Sequence, residues 1–303
     1  GLQFGELKSI ELMGNFRRPH TGPILSPLPQ TGKGAGVLSL QLDETSAVPK
    51  SPEGYVLLVS SGKVEISSRG EAGLFYGCQT LEQLLEDARD VGVTIPACKV
   101  TDYPAMSYRG VQIDVRHHLD NMEYYYRSID RMARYKINAV IFEIEDKLRF
   151  RTQPLIATQH AISIEEMAAL TNYARERHID ISPLVQSLGH MAYLLKHPQY
   201  AHLREDPNSA WVFCPTHEGT YQVIFDMCRD AIEATPGSKF LHFGGDETGA
   251  IGKCPRCKPY VEKEGMLGLN LYWFNRVNEF ARQNGRVAIF WDDMIFEHSD
   301  LYE

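Results

Sequence analysis

The sequence predicts an α/β protein in which a parallel sheet covered by helices follows a small α+β domain. After residue 108, strand-like and helical segments alternate, and five of the strand-like segments are almost continuously apolar. This pattern is typical of a parallel sheet that is buried on both faces. Before residue 103, short β-prone runs accompany a single helical segment. We therefore predict two domains, residues 1–102 and residues 103–303.

The first domain is expected to contain three strands and one helix. Residues 19–36 are rich in proline and glycine, which predicts a loop. The strands are predicted from β-prone runs separated by Pro-Glu-Gly and Ser-Gly turns, at 37–42, 55–60 and 63–67. Leucines at helical spacing then predict a helix over residues 73–89.

In the second domain, five strands are expected to alternate with helices. Ser163 and Glu166 have the spacing of a capping box, which predicts that a helix begins there. The other helices are predicted from apolar residues that recur on one helical face. The five predicted strands are 110–115, 139–144, 179–185, 239–243 and 287–291.

Composition excludes several classes of partner. The chain has 303 residues, a formal charge of -8 and no block of basic residues, which argues against nucleic acid and anionic membranes. No apolar run reaches the roughly 18 residues that a membrane span needs. The start shows no basic-then-apolar signal peptide, which favours the cytoplasm, but a leading glycine leaves a removed signal open. A homo-oligomer is compatible with this composition.

Each predicted strand of the second domain is followed by side chains capable of chemistry. In a (β/α) barrel, active sites lie at the carboxyl ends of the strands. An open doubly wound sheet binds ligands at the same edge, so this pattern locates a site without choosing between the two folds. The residues concerned are Asp114, Arg116, Glu143, Glu145, Asp146, Gln186, His190, Asp246, Glu247, Trp291, Asp292 and Asp293.

The segment Leu-His-Phe-Gly-Gly-Asp-Glu-Thr (residues 241–248) places two carboxylates next to each other. Neighbouring side chains on a strand point to opposite faces. Gly244 and Gly245 would let the chain turn, so that Asp246 and Glu247 could face one cavity. Crowding should then raise the pKa of one carboxylate and leave the other ionised. A surface turn with two solvated acids is the alternative interpretation.

Four segments resemble glycoside hydrolase family 20, the β-N-acetylhexosaminidases. "FLHFGGDET" resembles the end of the family's fourth barrel strand, "YRGVQIDVRHH" its first, "PLVQSLGHM" its third and "FWDDM" its fifth. Residues 52–85 resemble the small domain that precedes the barrel in this family. The resemblance implies a (β/α)8 TIM-type barrel preceded by a small α+β domain.

The resemblance also implies roles for individual residues. Glu247 matches the general acid/base, and Asp246 matches the carboxylate that orients the substrate's 2-acetamido group, whose carbonyl oxygen is the nucleophile. Arg109 matches the arginine that holds sugar hydroxyls, and an ion pair with Asp114 or Glu143 is its structural alternative. His190 matches the histidine near the acid, and Trp291 an aromatic residue of the acetamido pocket, with structural roles as the alternatives.

The sequence departs from the family at two places. The second strand ends in "FEIEDK", which looks closer to the hexosaminidase D-like branch. Asp146 is the best match for a sugar-binding aspartate there, although Glu143 or Glu145 could replace it. Only about 195 residues follow the first barrel strand, so the barrel is predicted to be truncated after about five strands. A fragment of a longer protein, completion by another chain, and an open incomplete fold all remain compatible with this length.

The predicted function is that of a glycoside hydrolase, a retaining exo-β-N-acetylhexosaminidase. It would hydrolyse terminal β-linked N-acetylglucosamine or N-acetylgalactosamine by substrate-assisted catalysis, with no cofactor. The alternative is a non-catalytic amino-sugar-binding fragment or an inactive truncated barrel. A second rival is a metal-dependent barrel hydrolase that would use His117, His118, His190 and His242 with the carboxylates.

Cys254-Pro-Arg-Cys257 requires a separate interpretation. One C-x-x-C pair supplies only half of a structural zinc site, so Cys214, His217 or Cys228 would have to complete it. Free thiols and a local disulfide are the other interpretations. We assign no metal ligand from the sequence.

Overall fold

The computed structural model describes residues 37–296, with only the backbone for the last two. The proline- and glycine-rich loop predicted for residues 19–36 lies outside the described residues. The chain divides into two compact units, one formed by Gly1–Arg109 with Arg131–Lys136, and the other by Gly110–Asp130 with Ile137–Glu303. The domain boundary between residues 102 and 103 stays a prediction.

The first unit is a four-stranded sheet covered by one helix. Its sheet has the order β1-β3-β2-β4, in which β1 runs parallel to β3 and the other neighbours are antiparallel. Tyr76 and Leu81 of the helix are buried against apolar side chains of β2 and β3. The elements are β1 (Val37–Leu42), β2 (Tyr55–Ser60), β3 (Lys63–Ser68), α1 (Glu71–Asp90) and β4 (Cys98–Asp102).

The second unit contains five parallel strands paired in sequence order. The order is β5-β6-β7-β8-β9, and each strand is parallel to its neighbour. A doubly wound sheet reverses its strand order at a switch point, whereas a barrel adds strands in sequence. The strands are β5 (Gly110–Asp114), β6 (Ala139–Glu143), β7 (Asp180–Leu184), β8 (Phe240–His242) and β9 (Val287–Ile289).

Helices connect these strands as the alternating sequence predicts. Ser163 accepts a hydrogen bond from the Glu166 backbone N–H, and Glu166 accepts one from the Ser163 N–H, so the predicted capping box begins α3. The longest helix, α6, is interrupted at Gly265. The helices are α2 (Met122–Arg134), α3 (Ile164–Arg175), α4 (Ala192–Leu195), α5 (Glu218–Ala234), α6 (Lys258–Gln283) and α7 (Asp293–Phe296).

The predicted α/β fold class is confirmed, because the five sequential parallel strands of the described residues fit five consecutive strands of a (β/α)8 barrel. Strand β4 and the short helices α4 and α7 were not predicted from the sequence. None of the helices in residues 37–296 is long and apolar enough to cross a membrane. All five strands of the second unit are parallel, so their carboxyl ends share one edge, where the loops carry the predicted site residues other than Arg109.

Candidate active site

The turn after β8 depends on two glycines. Gly244 and Gly245 have positive φ values of 69° and 92°, which side chains with a Cβ rarely adopt. A Cβ on Gly244 would lie 1.8 Å from Gln186 Oε1, and one on Gly245 would lie 2.9 Å from the ring of Trp273. Both the backbone conformation and the close packing therefore require glycine, and the chain leaves strand geometry before the carboxylates.

Gly244→Ala should lower the free energy of unfolding by at least roughly 1–3 kcal/mol, because it combines a strained left-handed residue with a steric clash. Denaturant unfolding measures this change. Gly249→Ala is the matched control, since its Cβ would meet no atom within 4 Å and its φ is not positive. Equal effects of the two substitutions would contradict this account of the turn.

Both carboxylates after the turn approach one histidine. His190 Nε2 lies 3.0 Å from Asp246 Oδ2 and 3.6 Å from Glu247 Oε2. The side chain of Asp246 is 24% exposed and that of Glu247 is 66% exposed. The turn therefore holds one carboxylate in the wall of the site and leaves its neighbour accessible from solvent.

The backbone of Glu247 is held by two long-range contacts. Its N–H donates to Asp293 Oδ2 at 2.9 Å, and its carbonyl accepts from Trp211 Nε1 at 3.2 Å. Glu247 has a positive φ of 52°, as do His190 at 56° and Glu145 at 36°. Left-handed backbone at a residue other than glycine is strained and tends to occur at functional sites. Three such residues follow three neighbouring strands here.

Charge coupling between His190 and Asp246 favours the ionised form of both groups. Hydrogen bonding to Asp246 raises the pKa of His190 above its usual value, against the opposing effect of burial. Burial alone would raise the pKa of Asp246, but the contact with His190 outweighs it and lowers that pKa. The contact with His190 therefore keeps Asp246 ionised.

Arg116 links the carboxyl ends of β5 and β6. It donates to both carboxylate oxygens of Asp114, and its Nε lies 3.3 Å from Glu143 Oε1. Glu143 is buried and also accepts hydrogen bonds from Gln112 and Gln186. Burial raises the pKa of Glu145 to about 7. This edge therefore carries a fixed guanidinium beside a carboxyl group that titrates near neutral pH.

Asp146 is held by lysines. It contacts Lys147 Nζ, and its other oxygen lies 3.6 Å from Lys196 Nζ. Asp146 is buried, so the two ammonium groups offset the cost of burying its charge. Its proposed contact with sugar stays a prediction, and Glu143 and Glu145 remain the alternatives.

Arg109 lies in the first unit, immediately before β5. It forms an ion pair with Glu53 at 2.8 Å and donates to the carbonyl oxygens of Lys136 and Met106. Arg116, by contrast, lies at the carboxyl end of the same strand, where the other candidates lie. The role of Arg109 in binding sugar hydroxyls stays a prediction, and no particular role was predicted for Arg116 from the sequence.

Two tryptophans flank the carboxylate turn. Trp291 donates from its backbone N–H to the carbonyl of Gly244, and its ring lies 4.5 Å from that of His242. The ring of Trp211 lies 4.5 Å from that of His190 at an interplanar angle of 58°, in addition to the bond of Trp211 to Glu247, and Trp211 remains 37% exposed. Trp211 was not predicted from the sequence, although a tryptophan in the polar loop after a barrel strand was an available signal.

His242 should make stability depend on pH. Burial lowers its pKa from 6.5 to about 4, so it stays neutral in the folded protein while the unfolded chain protonates below pH 6.5. The contribution of neutral His242 to the free energy of unfolding is therefore full above pH 6.5 and is lost as the pH falls towards 4. The free energy of unfolding should fall by at most about 3 kcal/mol through this group. His242→Gln should flatten the loss of unfolding free energy over that range, as measured by denaturant unfolding. An unchanged slope would contradict the neutral buried state.

The fold and the site together define a class: a (β/α) barrel whose strand ends carry a carboxylate and histidine site. The comparison with family models gives the family. Residues 106–303 match the catalytic domain of glycosyl hydrolase family 20, and residues 19–103 match domain 2 of the same family. The chain therefore belongs to glycosyl hydrolase family 20.

Relatives of known activity and fold agree with this family. The beta-hexosaminidase of Porphyromonas gingivalis is 28% identical over 82% of this chain and 37% of its own length. The hexosaminidase D of Bos taurus is 28% identical over 52% of this chain and 47% of its own length. A beta-N-acetylhexosaminidase structure from Bacteroides fragilis covers 86% of this chain and 55% of its own, with a TM-score of 0.72 and 24% identity. The chain thus spans about half or less of these relatives.

Proposed function

We propose that the protein is a retaining exo-β-N-acetylhexosaminidase that hydrolyses terminal β-linked N-acetylglucosamine or N-acetylgalactosamine. Membership of family 20 and the names of the matched relatives support the class of substrate. Family 20 is an exception to the usual pair of enzyme carboxylates, because the substrate's 2-acetamido group supplies the nucleophile.

The geometry of Asp246 carries the proposal. Oδ2 lies against His190, whereas Oδ1 is buried and no group within residues 37–294 meets full hydrogen-bond geometry with it. A buried acceptor without a partner is costly unless a ligand satisfies it. The N–H of a 2-acetamido group is a donor of the required kind. The ionised carboxylate would orient this group and stabilise the positive charge that develops on it when its carbonyl oxygen attacks the anomeric carbon.

Glu247 would perform the proton transfers. Its exposed carboxyl group would protonate the leaving oxygen as the carbonyl oxygen attacks and would later remove a proton from water. Water then opens the oxazolinium-type intermediate from the face that the leaving group vacated, so configuration is retained. Asp293 and Trp211 would position Glu247 through its backbone.

Arg116 is proposed as a further sugar-binding residue. Its guanidinium presents a rigid fork of donors, and it is fixed by Asp114 and Glu143 at the edge where the catalytic candidates lie.

The alternative of a metal-dependent hydrolase would need histidines as metal ligands. Two of its four histidines, His190 and His242, contact carboxylate, indole and backbone groups. Within the described residues, the one metal-type cluster contains none of the four rival histidines.

The test is incubation of the full-length gene product with 4-nitrophenyl β-N-acetylglucosaminide and β-N-acetylgalactosaminide. We expect release of nitrophenol from at least one substrate and, by NMR, initial formation of the β-anomer of the sugar. A folded protein that releases neither product would contradict the proposal. Binding of N-acetylhexosamine without turnover would select the non-catalytic alternative.

A further inference from the structure

A cluster outside the candidate active site brings together three cysteines and a glutamate. The ligand atoms of Glu205, Cys214, Cys254 and Cys257 all lie within 4.8 Å of one another. Cys214 Sγ is 3.5 Å from both Cys254 Sγ and Cys257 Sγ, and Cys257 Sγ is 3.2 Å from Glu205 Oε2. A disulfide would require sulfur atoms about 2.05 Å apart, so these are separate thiols.

These separations fit a tetrahedral zinc ion. Zinc binds cysteine sulfur at about 2.3 Å and carboxylate oxygen at about 2.0 Å, which places sulfur atoms about 3.8 Å apart and sulfur and oxygen about 3.5 Å apart. The three separations given above are a few tenths of an ångström shorter, so a small outward movement of these side chains would admit the ion. Three soft thiolates select zinc over magnesium or calcium.

Glu205 provides an independent indication of a ligand. It is 2% exposed, and its carboxylate contacts are the backbone N–H groups of Lys253 and Cys254 on Oε1 and the Cys257 thiol on Oε2. Within residues 37–294 no cationic side chain forms an ion pair with it. A buried carboxylate normally requires a cation or a metal. Oε1 is satisfied by the backbone, and Oε2 faces the sulfur atoms.

Surrounding donors would support a negatively charged ligand set. The Cys257 N–H lies 3.3 Å from Cys254 Sγ, and Thr216 Oγ1 lies 3.2 Å from Cys257 Sγ. Such hydrogen bonds orient metal ligands and partly offset their charge. The cysteine pair lies immediately before α6, whereas Cys214 and Glu205 come from the long connection between β7 and α5. The four ligands therefore join two segments that are distant in sequence.

We propose that Glu205, Cys214, Cys254 and Cys257 form a structural zinc site. Binding replaces the thiol protons with Zn²⁺, releases them to solvent and leaves no open position for substrate. The ion cross-links the connection after β7, which carries His190 and Trp211, to the connection after β8, which carries Asp246 and Glu247. Its role is to fix these two connections relative to each other, and it takes no part in proton transfer.

The first test is the metal content of the protein purified without chelator, measured by inductively coupled plasma mass spectrometry. We expect one zinc per chain and a lower melting temperature after the metal is removed, with recovery when zinc is returned. A protein that neither contains nor takes up stoichiometric zinc while all six thiols are reduced would overturn the proposal. A disulfide from Cys214 to Cys254 or Cys257 in the purified protein would also overturn it.

Variants identify the ligands. Cys257→Ser should lose stoichiometric zinc. Glu205→Gln should bind zinc at least roughly tenfold more weakly, because replacing a residue that only supports a metal ligand already lowers affinity by about that factor. Cys98→Ser, which changes a partly buried cysteine of β4, should retain one zinc. If Cys257→Ser fails to fold, binding of Co²⁺ to the wild-type protein tests the cysteine ligands instead. A thiolate-to-cobalt charge-transfer band supports the site, and uptake without that band contradicts it.

Discussion

Glu247→Gln should reduce kcat/KM for substrates with poor leaving groups by roughly 10²–10⁴-fold, the usual contribution of general acid catalysis. The loss should be much smaller for aryl glycosides whose leaving phenolate is already stable, because such a leaving group needs little protonation. The expected signature is a steeper dependence of rate on leaving-group pKa in the variant. A series of substituted phenyl β-N-acetylglucosaminides measures this dependence.

The exposed position of Glu247 makes this experiment informative about chemistry. Its side chain is 66% exposed, so a neutral amide of the same shape should leave the fold intact. Glu262→Gln, which changes an exposed glutamate of α6, controls for the loss of one negative charge. If Glu247→Gln loses the same factor in kcat/KM for every leaving group, Glu247 is not the general acid.

Asp246→Asn should slow good and poor leaving groups alike, by roughly 10²–10³-fold, the size typical of losing one preorganised electrostatic contact. The uniform loss follows from its position: Asp246 would act on the acetamido group and not on the leaving oxygen. The same aryl glycoside series therefore separates the two neighbouring carboxylates. Asp87→Asn on α1, an exposed aspartate, is the matched control.

The same variant should change the titration of His190. Asp246 raises the pKa of His190, so its replacement should lower that pKa, which NMR of the imidazole protons measures. Because the folded pKa is raised, the stabilisation from this contact is full below the ordinary histidine pKa of about 6.5 and is lost as the pH rises through the raised value. The stability difference between wild type and Asp246→Asn should therefore be larger at pH 6 than at pH 9. The opposite trend would contradict the assigned coupling.

Local chemistry made part of this fold predictable. The capping box of Ser163 and Glu166 predicted the start of α3, because a helix N-terminus is determined by residues that lie close together in the sequence. Gly244 and Gly245 likewise predicted a turn, and in the structure both have the positive φ values that form it. The five strands lie within two residues of their predicted positions. By contrast, β4 was missed although Cys98–Asp102 begins with the polar and apolar alternation of a half-buried strand, a signal that was available in the sequence.

Contacts between segments that are distant in sequence form part of the site and could not be predicted from local sequence. Nothing in the local sequence shows that Glu205 lies beside Cys257, 52 positions later, or that Trp211 reaches the backbone of Glu247. The two arginines that flank the first barrel strand already differ in the sequence by their positions before and after the predicted strand, although the resemblance was carried over to Arg109 alone. In the structure, Arg109 precedes the strand and Arg116 follows it.

The most direct measurement of the central claim, that the substrate supplies the nucleophile, uses substrates whose acetamido group carries zero to three fluorine atoms. Fluorine withdraws electrons from the carbonyl oxygen and makes it a weaker nucleophile. We predict that kcat/KM falls steeply and progressively with each fluorine, and that the matching aryl β-glucoside, which has no acetamido group, is not hydrolysed. Rates that do not change with fluorination, together with hydrolysis of the glucoside, would contradict the account and require a nucleophile from the enzyme.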